Sequence, residues 1–503
     1  MLNMMWFKSD LRILDNPALH ASMLNGSTLA VYFVSEKQWQ KHALSPAKMS
    51  LIIQQLRSLE RELASLNVSL IVQITECFKS LPTDLMDLAE LHSVGRIYCN
   101  QEYELNEHQC ERQVENLAKQ SELFFNSYND VCLSEPGSIK NQQGQSYKVF
   151  TAFKRAFFKD SFRLLRPLSS RNNPQKATDV VSDIVVLNEI ETRVGFNQID
   201  HTGLWPAGEN EAHARLERFG DECIADYGRD RDIPSIDGTS TLSPYLAIGA
   251  LSTRQCLQLA MQQNSGNLEA SNRGASIWIN ELLWREFYRH LMFGSPKLCR
   301  FKPFKADTDR LPWRHDLIMF EAWKNGCTGY PIVDAAMRQL KQTAWMHNRL
   351  RMVTAMFLTK HLFIDWRWGE AYFMSQLVDG DFASNNGGWQ WSASTGVDAV
   401  PYFRIFNPTR QSQRFDPTGS FIRRYMPELA SLDNKSIHQP SQSQALAAGY
   451  CLPIVDHRQA TDQTKYYFKH LKDASVVTAE NINHQTHVSK ALHVQKQQEF
   501  TLK

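Results

Sequence analysis

The hydrophobic pattern changes character along the chain. In the first 130 residues, short apolar and β-branched runs at 4–7, 29–34, 69–74, 96–100 and 123–127 alternate with stretches of helical periodicity. The clearest such stretch, 47–66, repeats Met49, Ile52, Ile53, Leu56, Leu59, Leu63 and Leu66 along one helix face. Five strands separated by helices predict a doubly wound parallel sheet, which binds ligands beyond the carboxyl ends of its strands. From 207 onward strand patterns become scarce. Helical periodicity takes over at 211–227, 254–263, 276–292, 330–341, 347–361 and 369–378. The expected organisation is an α/β domain over 1–131, then a linker over 132–206. That linker holds a short helix at 147–158 and a polar surface connector at 167–201. A larger all-helical domain over 207–470 and a polar tail over 471–503 complete the chain.

Composition supports a globular reading. Hydrophobic residues make up 43% of the 503 residues and charged residues 21%, which excludes disordered, collagenous and disulfide-scaffold classes. Two distributions are uneven. Nine of the 12 tryptophans lie between Trp278 and Trp391, and on composition alone a large aromatic core accounts for them. Residues 1–130 carry 11 Lys/Arg against 16 Asp/Glu, whereas 271–360 carry 15 against 7 in a chain of net charge +2. Basic residues interleaved with indoles are the means by which single-stranded or flipped nucleotides are held, so a phosphate-binding face is expected there. The nine cysteines form no C-x-x-C pair, which points to a reducing compartment, the cytoplasm, and away from disulfides or a zinc ribbon. The first ten residues lack a basic segment followed by an apolar one, so no secretory signal is expected. No apolar run is long enough to span a membrane. Neither a G-x-G-x-x-G fingerprint nor a P-loop is present.

Four segments carry chemistry. In 276–290, Trp278, Glu281, Arg285 and Tyr288 share one helix face, with Trp284 at its edge and Leu282, Leu283 and Phe287 on another. Indole, carboxylate, guanidinium and phenol together suit a wall that stacks planar rings and hydrogen-bonds their edges. An inter-helix salt-bridge seam is the plainer alternative. In 345–352, Asn348 and Met352 lie one turn apart, while Arg349 and Arg351 diverge, one free to meet phosphate and the other an internal acid. In 379–391, two acids around Gly380 and then Asn385-Asn386-Gly387-Gly388 read as a loop that lets backbone approach a ligand closely. No glutamate follows at a calcium-loop position, and His484 and His487 in the tail read as solvated, so no metal is expected. The fourth segment, Gly238 to Ser243, places hydroxyls where a helix opens, donors suited to pyrophosphate or a plain N-cap.

With these segments, with Trp6-Phe-Lys-Ser-Asp-Leu-Arg12, and with Thr328-Gly-Tyr-Pro-Ile-Val-Asp-Ala-Ala-Met-Arg338, the chain resembles the DNA photolyase and cryptochrome family from about residue 4 to 460. The resemblance implies an α/β antenna domain and a helical domain that binds FAD. It implies light-dependent repair of DNA, in which reduced FAD donates an electron to a flipped-out cyclobutane pyrimidine dimer. Photolyases are among the enzymes that take a base out of the stack, because its reacting atoms cannot be reached inside a duplex. Tyr227, Thr239, Ser240, Thr241, Leu242, Ser243, Trp278, Arg285, Asn348, Arg351, Asp379, Gly380, Asp381 and Asn385 are then FAD contacts, with Arg351 paired to Asp379 and Asn385 at the reactive edge. Glu281 hydrogen-bonds the dimer, Trp284 stacks on it, and Asn348 and Met352 line its pocket. Arg231, Arg285, Arg349 and Arg404 hold DNA phosphates, and Trp389, Trp366 and Trp313 relay electrons.

Subfamily rests on few positions. Asn348 and Met352 stand where the pyrimidine–pyrimidone branch has histidines, Met352 where the single-strand-preferring cryptochromes have Gln, and Asn385 where plant cryptochromes have Asp. All three favour a microbial cyclobutane-dimer photolyase. Residues 100–107 resemble a folate-binding segment, with Asn106, Glu107, Cys299 and Arg300 as antenna contacts. Lys8 and Arg300 each replace an expected cation by the other kind. Methenyltetrahydrofolate is therefore expected as antenna rather than a deazaflavin. The expected partner is double-stranded DNA, with single strands also accepted, bound by a monomer without an obligate protein partner. The alternative is a cryptochrome-type photoreceptor signalling through a partner, favoured only by the polar tail.

Overall fold

The computed structural model describes residues 2–160, 167–168, 172–194, 201–269 and 272–471; the expected tail lies outside them except for Leu471. Five strands, β1 (Leu2–Phe7), β2 (Thr28–Val34), β3 (Leu70–Ile74), β4 (Val94–Asn100) and β5 (Phe124–Tyr128), form one parallel sheet in the order β3-β2-β1-β4-β5. All four pairings are parallel, with Met5 opposite Ala30 on one side and Tyr98 on the other. The chain runs outward from β1 in both directions, so the switch point falls beside β1. The loops after β1, β2 and β4 open a crevice there.

Local chemistry explains the helices on this sheet. Ser45 caps the Pro46–Ala64 helix by accepting from the Lys48 N–H at 3.0 Å, with proline at the first helical position. Its Met49, Ile52, Ile53, Leu56, Leu59 and Leu63 are buried as the periodicity predicts. The polar connector differs from expectation. Asp183 pairs with β3, accepting from Val72 N at 2.8 Å and donating to Leu70 O at 2.9 Å, and a helix follows at Val186–Val194. An edge strand's unpaired backbone groups are satisfied this way.

The rest is helical. The 211–227 expectation resolves into Glu209–Arg218, a π-turn at Phe219–Cys223 and a short helix at Tyr227–Asp230. The 347–361 segment likewise gives a helix at Asn348–Met356 and a π-turn at Phe357–His361. Among the described residues no helix is long and apolar enough to cross a membrane, and no group of His, Cys, Asp and Glu is placed to hold a metal.

The two layers meet through buried charge. Asp130 receives Arg12 and Arg254 together, the latter at 2.6 Å, while Arg254 Nε also meets Asp15 at 3.0 Å. Arg12 further donates to Gly249 O at 3.1 Å and Asp15 O at 2.7 Å. Burial alone would raise the Asp130 carboxyl, yet Arg12 and Arg254 hold it below the usual range. Gly249 is required at this contact: its φ is +71°, and a Cβ would stand 2.1 Å from Ser9 O. Replacing Asp130 with Ala strands two buried guanidinium groups. It should cost about 3–5 kcal/mol of stability, read from urea unfolding of the full chain; a loss below about 1 kcal/mol contradicts this account.

Candidate active site

The Arg273–Gly294 helix builds the first wall. Asn272 caps it, accepting from Gly274 N at 2.9 Å and Ala275 N at 3.2 Å. Trp278, Glu281, Trp284, Arg285 and Tyr288 line a cavity of about 520 Å³, as the helical spacing predicts. Leu282 lines it as well, whereas Leu283 and Phe287 face the core as expected. Volume and lining suit a planar ring system with polar edges.

The opposite wall comes from the Asn348–Met356 and Phe382–Ala393 helices. Asn348, Arg349, Arg351 and Met352 face the cavity from the first, and Asp381, Ser384, Asn385, Gly388, Trp389 and Trp391 from the second. Here the expected loop at 385–388 is a helix. Asp381 caps it through Ser384 N at 2.8 Å, and a Cβ on Gly387 would stand 2.2 Å from the Tyr288 ring. The glycines thus let two helices approach closely, and packing overrides their low propensity. Asn385 donates its Nδ2 to Glu370 O at 3.0 Å, leaving its carbonyl oxygen to the cavity.

Charges around the cavity are paired. Arg351 meets Asp379 at 2.8 Å, as expected, Arg231 meets Glu281 at 2.6 Å, and Arg349 meets Asp232 at 2.9 Å. The buried Asp379 Oδ1 has no hydrogen-bond partner among the described residues. An unspent acceptor in a cavity also lined by hydroxyls, arginines and indoles fits the ribityl, phosphate and ring groups of FAD. Arg285 lines the cavity, but its Nη1 donates to Val131 O at 2.7 Å and Thr253 Oγ1 at 3.0 Å. That inward commitment does not suit the DNA-phosphate contact expected of it.

Aromatic geometry divides the tryptophans. Trp284 stacks on Phe150 at 3.8 Å and 7°, so one indole face is backed and the ring is fixed. Trp391, expected to serve packing, lines the cavity half-buried. Trp389 is buried, edge-on to Phe373 and Trp323, and reaches the cavity wall. Trp366 and Trp313 lie in the same apolar cluster but off the wall, with Trp313 tilted against Phe363. Trp323 and Trp368 pack in that cluster as expected, while Trp345 is half-buried, its Nε1 3.4 Å from Ser243 Oγ.

A second cavity, about 330 Å³, sits at the sheet's switch point. Asn106, Glu107 and Cys299 line it as expected; Arg300 is exposed and does not, because its short 3₁₀ turn directs it to solvent. Lys8 lines the cavity paired to Glu111 at 2.7 Å. His42, Lys48 and Arg289 also line it and were not legible from sequence, since they come from three separate segments. His42 Nδ1 lies 3.3 Å from Glu107. Burial, then Glu104 and Glu102, push the Glu107 carboxyl far above the usual range; burial, then Lys48 and Lys41, bring His42 down to about 4.

Other expected contacts fall elsewhere. Tyr227, Ser240 and Ser243 line the first cavity, but Thr239, Thr241 and Leu242 do not, and Leu242 is buried in the core. Gly380 lines the second cavity, its carbonyl turned to Lys48. Arg404 stands exposed on a loop and lines neither.

A parallel-sheet layer joined to a helical layer, with a ring-sized cavity lined by arginines and hydroxyls, is the architecture of a protein that can hold a large planar cofactor. Residues 3–172 match the family model described as DNA photolyase, and 278–470 that described as FAD binding domain of DNA photolyase. The deoxyribodipyrimidine photo-lyase of Vibrio cholerae is 44% identical over 94% of this chain and 100% of its own. That of Escherichia coli is 42% identical over 92% and 97%. A bacterial class III photolyase from Agrobacterium tumefaciens superimposes with TM-score 0.85 at 33% identity, covering 94% of this chain and 98% of that one. An archaeal photolyase from Sulfolobus tokodaii, solved with two FAD molecules, gives 0.79 at 29% identity over 93% and 100%. The chain belongs to the DNA photolyase family.

One titration follows from the site. His347 caps the Asn348–Met356 helix by accepting from Arg349 N on Nδ1 at 3.2 Å, which requires a neutral ring. Burial lowers it to about 4, Asp232 opposing and Arg349 and Arg351 adding. Its folded value lies below the unfolded one, near 6.5, so its destabilisation grows as pH falls from about 6.5 toward 4. His347→Asn keeps a capping acceptor without titrating. Between pH 7 and 5 that variant should lose about 1–2 kcal/mol less stability than the wild type in urea unfolding. Equal losses remove His347 from this account.

Proposed function

We propose that this chain is a light-dependent DNA repair lyase: it takes a flipped-out cyclobutane pyrimidine dimer into the first cavity and splits it into two pyrimidines. One observation carries the reading. In a chain of the DNA photolyase family, one cavity brings together Trp284 and Trp391, Glu281, Asn348 and Asn385, and four arginines. Ser240, Ser243, Trp278, Arg285, Arg351, Asp379, Asp381 and Asn385 hold FAD there. Reduced FAD, when bound, would supply the light-excited electron that opens the cyclobutane ring and would take it back once two pyrimidines have formed, so the splitting is redox-neutral.

The side chains do the rest. Phe150 keeps Trp284 in place, so its free face stacks on the dimer without reorganisation. Glu281, which meets Arg231 at 2.6 Å while no DNA is bound, hydrogen-bonds the dimer's edge and stabilises charge arriving there. Asn348 and Met352 shape the pocket, the amide by hydrogen bonding and the thioether by soft contact. Arg231 and Arg349, half-buried at the cavity, meet the phosphates flanking the lesion. Trp389, Trp366 and Trp313 pass electrons inward, because indole radical cations are accessible where aliphatic side chains offer none.

We assign methenyltetrahydrofolate to the second cavity, held by Asn106, Glu107 and Cys299, with a deazaflavin as the poorer fit. The enzyme works as a monomer on double-stranded DNA and accepts single strands. Its cysteines, all nine free, suit the reducing cytoplasm.

Ultraviolet-damaged DNA incubated with the purified protein should lose dimers under blue light and keep them in the dark; equal counts in both sink the proposal. Replacing Trp313 with Phe should block light-driven reduction of oxidised flavin while sparing repair by enzyme reduced beforehand. Loss of both activities removes Trp313 from the relay.

A further inference from the structure

Buried charge runs between the two cavities. Arg289 lies on the same helix as Glu281 and Arg285, nearly inaccessible to solvent. It meets Glu104 at 3.2 Å and also donates to Asp381 Oδ2. Each partner stands at a helix start. Glu104 precedes the Leu105–Gln120 helix, whose Asn106 and Glu107 line the antenna cavity, and makes no capping bond of its own. Asp381 caps the Phe382–Ala393 helix, which carries Asn385 and Trp389, and lines both cavities. Lys48 closes the bridge from the sheet side: it lines the antenna cavity and donates to Gly380 O at 2.7 Å.

We infer that Glu104–Arg289–Asp381 couples the two cavities, so that filling one steadies the helix start lining the other and the two pigments bind cooperatively. This rests on the reading that both cavities hold pigments. Arg289 is the positioning residue. Its planar fork is rigid, so a shift of Glu104 is passed to Asp381 rather than absorbed. Water cannot replace either partner without leaving charge stranded in a poorly solvated place. Against burial, Asp381 and Glu104 hold Arg289 charged, and Arg289 with Arg285 holds the Asp381 carboxyl well below the usual range. Coupling of two sites through shared contacts is reciprocal by thermodynamic necessity.

The test times FAD release from holoenzyme by the rise in free-flavin fluorescence, with and without saturating methenyltetrahydrofolate. Wild type should release FAD about fivefold more slowly with folate bound. Arg289→Met and Glu104→Gln should lose that difference, and Arg289→Lys should retain part of it. Glu104→Gln keeps side-chain shape and serves should Arg289→Met fail to fold. A folate effect in Glu104→Gln as large as in wild type, or none in folate-bound wild type, overturns the coupling. Near-ultraviolet absorbance scores folate binding separately. If wild type takes up no folate, the antenna reading fails on its own, and the bridge is judged by hydrogen exchange at residues 104–108 with FAD bound and stripped. Protection by FAD that vanishes in Glu104→Gln supports the bridge. Absent protection in wild type, or equal protection in both, overturns it.

Discussion

The pairing of Asp130 with Arg12 and Arg254 is the constraint on which the other geometry depends. It ties the loop after β1 and the chain just past β5 to the start of the Thr253–Gln263 helix, and each member is buried. Two cations converge on one carboxylate, and Asp15 supplies the second negative charge. The cluster is therefore near neutrality and has no cheap alternative arrangement. The cluster sits between the layers, and the crevice at the sheet's switch point is lined from the helical side by Arg289, Glu370, Met374, Asp381 and Phe382.

The Arg273–Gly294 helix then distributes function along its length. Trp278, Glu281, Arg285 and Tyr288 serve the first cavity, and Arg289, one turn beyond Arg285, reaches the second. A rigid helix holds side chains to fractions of an ångström better than loops do, which electrostatic preorganisation requires.

Much of this was legible in the sequence, for identifiable reasons. The parallel strands are apolar runs bounded by turns, so each falls within a residue or two of its expected limits. The lining face of 276–290 followed from helical spacing. The 379–391 segment misled because Asn-Asn-Gly-Gly has poor helix propensity, and the compensating contact, Gly387 against Tyr288, lies about a hundred residues away in sequence. Arg285 misled for the same reason: its partners Val131 and Thr253 are distant in sequence, and only the fold turns the guanidinium inward. The π-turns at 219–223 and 357–361 were not foreseen because a single wide turn is too short to establish a period of its own.

Exposure sorts the arginines by task. In Arg351–Asp379 the carboxylate side chain is only 2% exposed, so breaking the pair would strand a buried charge. In Arg231–Glu281 and Arg349–Asp232 the carboxylates are 30% and 31% exposed, and water can take over for a departing arginine at little cost. The interior pair is thus a fixed part of the first cavity's wall, whereas under the proposed function the rim pairs exchange an acid for a phosphate. On that proposal the arrangement would also disfavour undamaged DNA: without an extruded base to fill the cavity, phosphates would gain only what the acids already provide, and net affinity would arise when Trp284 and Glu281 meet a dimer. Rim carboxylates, usually read as a penalty for a DNA-binding face, would under that proposal be the competitor that turns affinity for DNA into selectivity for the lesion.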